Sequence, residues 1–188
     1  AALVDLDPER EIDFLLNRIT PAGHEFDIKP RMIAALDEAV ESVYIEMAYI
    51  GDPDLSQAIV SAAGRGVEIT MLFSREANIG DDLNWRALHR ICRRAPVQVV
   101  ITDKMVHSKL MLIDNRQVIA GSANLSVFSM RKAVELDVVV RGLPRFLESV
   151  QAESRRRIAE GHPVESPDGL KPYNRVVAGL QQLHQWLT

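Results

Sequence analysis

The chain sets an imidazole, an ammonium, a hydroxyl and a carboxamide at short, regular spacing: His107, Lys109, Ser122 and Asn124. Alternate side chains of a strand share a face, so His107 and Lys109 are expected to point the same way. A hairpin near Asn115 and Arg116 would return Ser122 and Asn124 beside them at one end of a sheet. Gly121 is expected to let the backbone approach a ligand closely. Such a set suits attack on phosphorus. A neutral imidazole can form a covalent intermediate, dividing one difficult displacement into two easier ones. Lys109 and the Asn124 amide would hold the non-bridging oxygens and stabilise the charge that grows on them. The attacking ring needs an acceptor on its other nitrogen, and Glu135, early in the following strand-like run, is the candidate. Asp114 falls on the face opposite His107 and is expected to tie the turn or the adjoining strand. Asp137 shares a face with Glu135 and reads as an ordinary polar position.

No metal or other cofactor is expected, because Lys109 supplies the positive charge and the five histidines and one cysteine show no zinc spacing. His24, His89, His162 and His184 fall in loops or on polar faces and receive no catalytic part. Cys92 stands alone, so no intramolecular disulfide is possible.

The elements that must position these groups follow from hydrophobic periodicity. Residues 12–19 read as a helical stretch closed by a turn at 20–23, and Pro30 opens a helix whose apolar stripe runs Met32, Ile33, Leu36, Ala39, Val40. Residues 43–50 are rich in strand formers; Asp52 and Pro53 start a helix that stops at 64–66; residues 67–73 form a second strand. A polar loop at 74–80 leads to a third helix, capped by Asp81 or Asp82. Residues 97–102, 106–113, 117–120 and 134–140 are then strand-like with few helices between them. A helix at 144–159, a linker at 161–172 and an amphipathic C-terminal segment complete the chain. Alternating helices and strands followed by consecutive strands imply an α/β fold, a mixed β-sheet sandwiched between helices. With 188 residues, 47% of them apolar, there is material for one well-buried core.

A net charge of −4 argues weakly against a sequence-independent duplex binder. The arginine clusters 86/90/93/94 and 155–157 read first as solvated helix faces. No apolar run approaches the roughly 20 residues a bilayer span needs. The acidic residues 1–10 form no signal peptide, and the absence of a starting Met leads us to expect a processed chain or a fragment.

The spacing His107-x-Lys109-x4-Asp114-x6-Gly121-Ser122-x-Asn124 resembles the signature of the phospholipase D superfamily at every specified position. The similarity extends to the lead-in segment at 34–73, which looks like the corresponding part of cardiolipin synthases and related phosphatidyltransferases, and to Glu135, where the family usually carries a glutamate. About residues 30–150 are covered. The resemblance implies a lead-in segment at 1–28, a phospholipase D-like catalytic half-domain at 29–160, and a linker with a C-terminal helix at 161–188. It makes His107 the residue that forms a phosphohistidine or protonates the leaving group, and Lys109, Ser122 and Asn124 the phosphate cradle.

Two departures matter. The family's site uses two such motifs and this chain has one, so a second half, from a longer chain or a homodimer, is implied. The family often has Asn where this chain has Ala133. Three readings stay open: a phosphodiesterase or phosphatidyltransferase acting on phospholipids at a membrane surface, a single-motif endonuclease working on nucleic acid as a homodimer, and a non-catalytic half that completes a partner's fold.

Overall fold

The computed structural model describes residues 11–21, 23–76 and 81–187. The segment read as helical around residues 12–19 is instead strand β1 (Ile12–Thr20), which pairs with the short β2 (Gly23–Phe26) on one side. On its other side it runs antiparallel to β8 (Glu135–Arg141), Ile12 opposite Val140 and Asn17 opposite Glu135. Its Phe14 and Leu15 satisfy either periodicity; pairing with β8 decides between them.

From α1 (Ile28–Glu38) onward the expected alternation is present: β3 (Ser42–Glu46), α2 (Pro53–Gly64), β4 (Glu68–Ser74), α3 (Asp81–Cys92) and β5 (Val97–Thr102), with β3, β4 and β5 parallel. Pro53 occupies the first turn of α2, and the Asp52 carboxylate accepts the Asp54 and Leu55 amides at 3.0 and 3.1 Å, a complete N-cap. Residues 77–80 of the expected 74–80 loop lie outside the described residues.

The antiparallel half contains β6 (Leu110–Ile113), β7 (Gln117–Gly121), a short α4 (Val127–Arg131) and β8. Asp114 and Asn115 both have positive φ, 49° and 54°, the backbone of a tight I′-type hairpin turn whose twist matches its strands. After α5 (Pro144–Glu160), the stretch expected to be linker contributes β9 (His162–Val164), antiparallel to β5 at the sheet edge, where Pro163 is tolerated. Helix α6 (Arg175–Leu187) ends the described chain.

One nine-stranded sheet results, in the order β2-β1-β8-β7-β6-β3-β4-β5-β9. Its larger core lies under α1, α2 and α3, with Leu36, Ile59 and Leu88 against Ile45, Met71 and Met111. Its smaller core lies under α5, where Leu147, Val150 and Ile158 meet Leu72, Val100 and Val118. The mixed, helix-sandwiched α/β sheet is thus the observed architecture. Among the described residues no helix is long and apolar enough to cross a membrane.

Candidate active site

Strand β6 begins only at Leu110, so His107 and Lys109 sit in an extended stretch just ahead of it. The hairpin reaches back this far through the Gly121 amide, which donates to the Lys109 carbonyl at 3.2 Å. Burial increases along the stretch. His107 is exposed, Ser108 turns toward α5, and Lys109 is buried.

Ser108 is held from below by a buried carboxylate. Glu46, at the end of β3, accepts from the Ser108 hydroxyl, from Arg157 on α5, and from the Tyr44 hydroxyl at 2.8 Å. Burial, followed by the Glu46 charge, pushes the Tyr44 phenol far above its ordinary range. This network fixes the backbone between His107 and Lys109 to two layers of the fold. A lone glutamate inside the apolar run Val43-Tyr44-Ile45-Glu46-Met47 was the signal for it.

Lys109 Nζ donates to the His107 carbonyl at 2.7 Å. Burial pulls its pKa down, against the opposing influence of the Glu135 and Asp137 carboxylates. Asp137, on β8, is fully buried; its Oδ1 accepts the Ala123 amide at 3.0 Å while Oδ2 has no hydrogen-bond partner among the described residues. Burial raises its carboxyl to about 6, and the neighbouring Glu135 adds to the rise. Asp137 is therefore no ordinary polar position, but a charge-sensitive clamp on the turn that carries Ser122 and Asn124. Its place on the same face as Glu135 was visible in the strand parity.

Ser122 and Glu135 meet directly. The Ser122 hydroxyl donates to Glu135 Oε2 at 2.5 Å and accepts the Leu136 amide at 3.1 Å. Glu135 was expected to hold the His107 ring; across the end of the β7–β8 ladder the nearer donor is Ser122, and among the described residues the ring of His107 has no hydrogen bond. Gly121 also serves a different need from the one expected. A Cβ there would overlap Asp137 Oδ1 and the Leu136 carbonyl, so the glycine admits strand β8 rather than a ligand.

Asn124 accepts the Tyr49 amide on Oδ1 at 3.2 Å and lines a cavity of about 320 Å³. Tyr49, Asn84, Phe128 and His184 also line that cavity; His107, Lys109 and Ser122 do not. The structure thus gathers Lys109, Ser122, Glu135 and Asp137 at one sheet end, with His107 on the rim and Asn124 opening onto the adjacent cavity.

Asp114 lies at the other end of β6, where its carboxylate accepts the amides of Val40, Glu41 and Ser42 at 3.0, 2.7 and 2.9 Å. It ties the α1–β3 connection to the hairpin and does not reach His107. A buried ammonium, an exposed imidazole and a carboxamide are groups of the kind that can receive a tetrahedral or trigonal-bipyramidal anion.

Residues 32–157 match the family described as cardiolipin synthase, PLD-like domain. A phospholipase D of Rickettsia conorii is 30% identical over 108 residues, which are 56% of this chain and 52% of that protein. The chain spans about half the length of the Rickettsia relatives it matches. Among solved structures, Nuc of Salmonella typhimurium, a phospholipase D family member, superposes with a TM-score of 0.70 at 23% identity, covering 82% of this chain and 98% of that one. The phosphatidylserine synthase of Haemophilus influenzae superposes with a TM-score of 0.72 at 13% identity, covering 94% of this chain and 45% of that one.

Proposed function

The chain belongs to the family described as cardiolipin synthase, PLD-like domain, and from that premise we propose that it is one half of a two-histidine phosphodiesterase site acting on phospholipids. The observation that supports the reading is the exposed ring of His107 two residues from the buried Lys109, whose ammonium donates to the His107 carbonyl at 2.7 Å.

In the first step a His107 ring nitrogen attacks phosphorus. A phosphorus–nitrogen bond forms, the bond to the leaving alcohol's oxygen breaks, and that oxygen takes a proton from the second half's histidine. In the second step water or an acceptor alcohol gives its proton to that same histidine and displaces His107, producing hydrolysis or phosphatidyl transfer. Lys109 and the Asn124 NH2 hold the non-bridging oxygens, where negative charge is greatest in both transition states. The Glu46–Ser108 hydrogen bond and the Asp137–Ala123 hydrogen bond keep the two sides of this cradle in register. A single histidine cannot carry the phosphoryl group and protonate the departing oxygen in one step, so catalysis needs the second half. The exposed apolar groups Phe128, Val134 and Leu136 beside the site are suited to meeting it.

The test is to measure solution mass and phosphodiesterase activity on one sample with a soluble short-chain phospholipid. Turnover should track a two-half assembly and vanish in a monodisperse monomer. A monomer with full turnover would refute the reading.

A further inference from the structure

Helix α6 is mounted with its apolar side outward. Val176, Leu180, Leu183 and Leu187 recur at i, i+4, i+7 and i+11, one stripe of a helix, yet they are 70%, 62%, 53% and 75% exposed. The side turned to the body of the protein carries Ala178, which is buried, and glutamines: Gln181 accepts the Leu83 amide at 3.1 Å, and Gln182 and Gln185 line the grooves on either side. Glutamine toward the protein and leucine toward solvent reverses the usual arrangement of a surface helix.

Arginines flank this stripe, while Asp82 accepts the Asn174 amide just ahead of the helix and Asp54 pairs with Arg131. The helix contains no acidic residue, and Arg175 opens it at the end where the macrodipole disfavours positive charge. Arg131 lies over the Trp186 ring at 4.3 Å. Along one flank runs a ridge of Arg86 and Arg90 on α3 and Arg94 in the turn just after it, which shares a groove with Gln182. Among the described residues none of these three meets a carboxylate; Arg94 donates to Gln57 instead. Burial, and then the adjacent Arg90, pull the Arg86 guanidinium below its ordinary range, so the ridge repels itself. Along the other flank lies the Asn124 cavity, to which α6 contributes His184 and Gln185.

We infer that α6 and the α3 arginine ridge form a docking face for an anionic lipid bilayer, which brings the Asn124 cavity to the membrane surface. The inference rests on the phospholipid reading above. A helix lying in the interface plane needs an apolar stripe, an aromatic at its margin and flanking cations. Leu180 and its neighbours, Trp186, and the arginines of α3 and α6 supply all three. Charge complementarity selects the occupant. A second copy docked stripe to stripe with the two helices antiparallel would bring the like-charged ridges together, because the twofold axis then crosses the helices and maps each flank onto itself. Anionic headgroups neutralise the ridge, and the acyl region accepts the leucines.

Vesicles of phosphatidylcholine, with and without phosphatidylglycerol, test the inference on the whole chain. Trp85 is 3% exposed, so an emission shift on binding reports Trp186. Binding should appear with phosphatidylglycerol, weaken with salt, and shift Trp186 emission to the blue. L180Q/L183Q should lower vesicle affinity by more than about tenfold, and R86A or R90A by about fivefold each. Thermal melts should match wild type, since these side chains lie at the surface. Phosphatidylglycerol-independent or absent binding would overturn the inference. So would a concentration-dependent mass abolished by L180Q/L183Q, which would give the stripe to a second copy, or binding of duplex DNA in place of vesicles. Vesicle binding without lipid turnover would sink the proposed reaction and leave this face standing. Turnover of a soluble short-chain phospholipid without vesicle binding would do the reverse.

Discussion

Asp114→Ala separates a structural carboxylate from a catalytic one. The side chain is 9% exposed and collects the amides of Val40, Glu41 and Ser42 with both oxygens. Removing it deletes three charge-assisted hydrogen bonds in one step. Each contributes about 1–1.5 kcal/mol when water can partly replace the acceptor, as it can at the exposed Val40 and Glu41. The expected loss is about 3 kcal/mol, or about 6–12 °C in Tm for a chain of this size. Asp114→Asn keeps one neutral acceptor and should lose less. Burial alone would raise the Asp114 carboxyl, but the amides of Ser42, Glu41 and Val40 outweigh it and hold the pKa below the usual range. A depressed folded-state pKa stabilises above the unfolded value of about 3.9 and ceases to do so as pH falls through the folded value. The gap between wild type and Asp114→Ala should therefore be full at neutral pH and shrink in acid. Chemical denaturation across that range, with turnover measured per folded molecule, is the assay. Turnover should stay within about threefold of wild type. A variant as stable as wild type but inactive would overturn the structural role and return Asp114 to the catalytic machinery.

Three further outcomes are expected. Asp137→Asn keeps the Oδ1 acceptor and removes a charge; because the Asp137 pKa is raised to about 6, wild type is favoured by this group below about pH 4 and loses that advantage as pH rises through 6. The variant should thus gain about 3 kcal/mol relative to wild type between pH 4 and 8 by denaturant titration, and its kcat profile should lose any inflection near 6. Arg157→Met strands the buried Glu46 carboxylate, which should cost about 2 kcal/mol after allowance for the 38% exposure of Arg157, and should lower kcat more than it changes KM as Ser108 loosens. His107→Ala should lower turnover by at least about a thousandfold with an unchanged melt, since the exposed ring packs into neither core.

Local signals made the β3-α2-β4-α3-β5 half legible: Asp52 and Pro53 open α2, and continuous apolar runs flank it. Strand β1 was not legible, because the apolar residues of Ile12–Thr20 fit a helix until β8 pairs with them, 120 residues later in the chain. Strand β9 is three residues long and contains Pro163, which local propensity reads as linker. The amphipathicity of α6 was plain, but its direction was not, because periodicity reveals a stripe and not which side meets the protein. In the site, His107, Lys109, Ser122 and Asn124 stood out by type and spacing. The partners of the carboxylates did not. Whether Glu135 holds His107 or Ser122, and whether Asp137 is buried beneath the turn, depends on how the β7 and β8 ends meet across the sheet.

The proposed reaction requires the His107 ring to become covalently bonded to phosphorus. Rapid quenching of the assembled enzyme during turnover of a phospholipid labelled at phosphorus, followed by peptide mapping, tests it directly. An acid-labile, base-stable phosphoramidate is expected on the peptide containing His107, absent from His107→Ala. Turnover with label on a different residue, or with no covalent label under conditions that trap a known phosphohistidine, would contradict it.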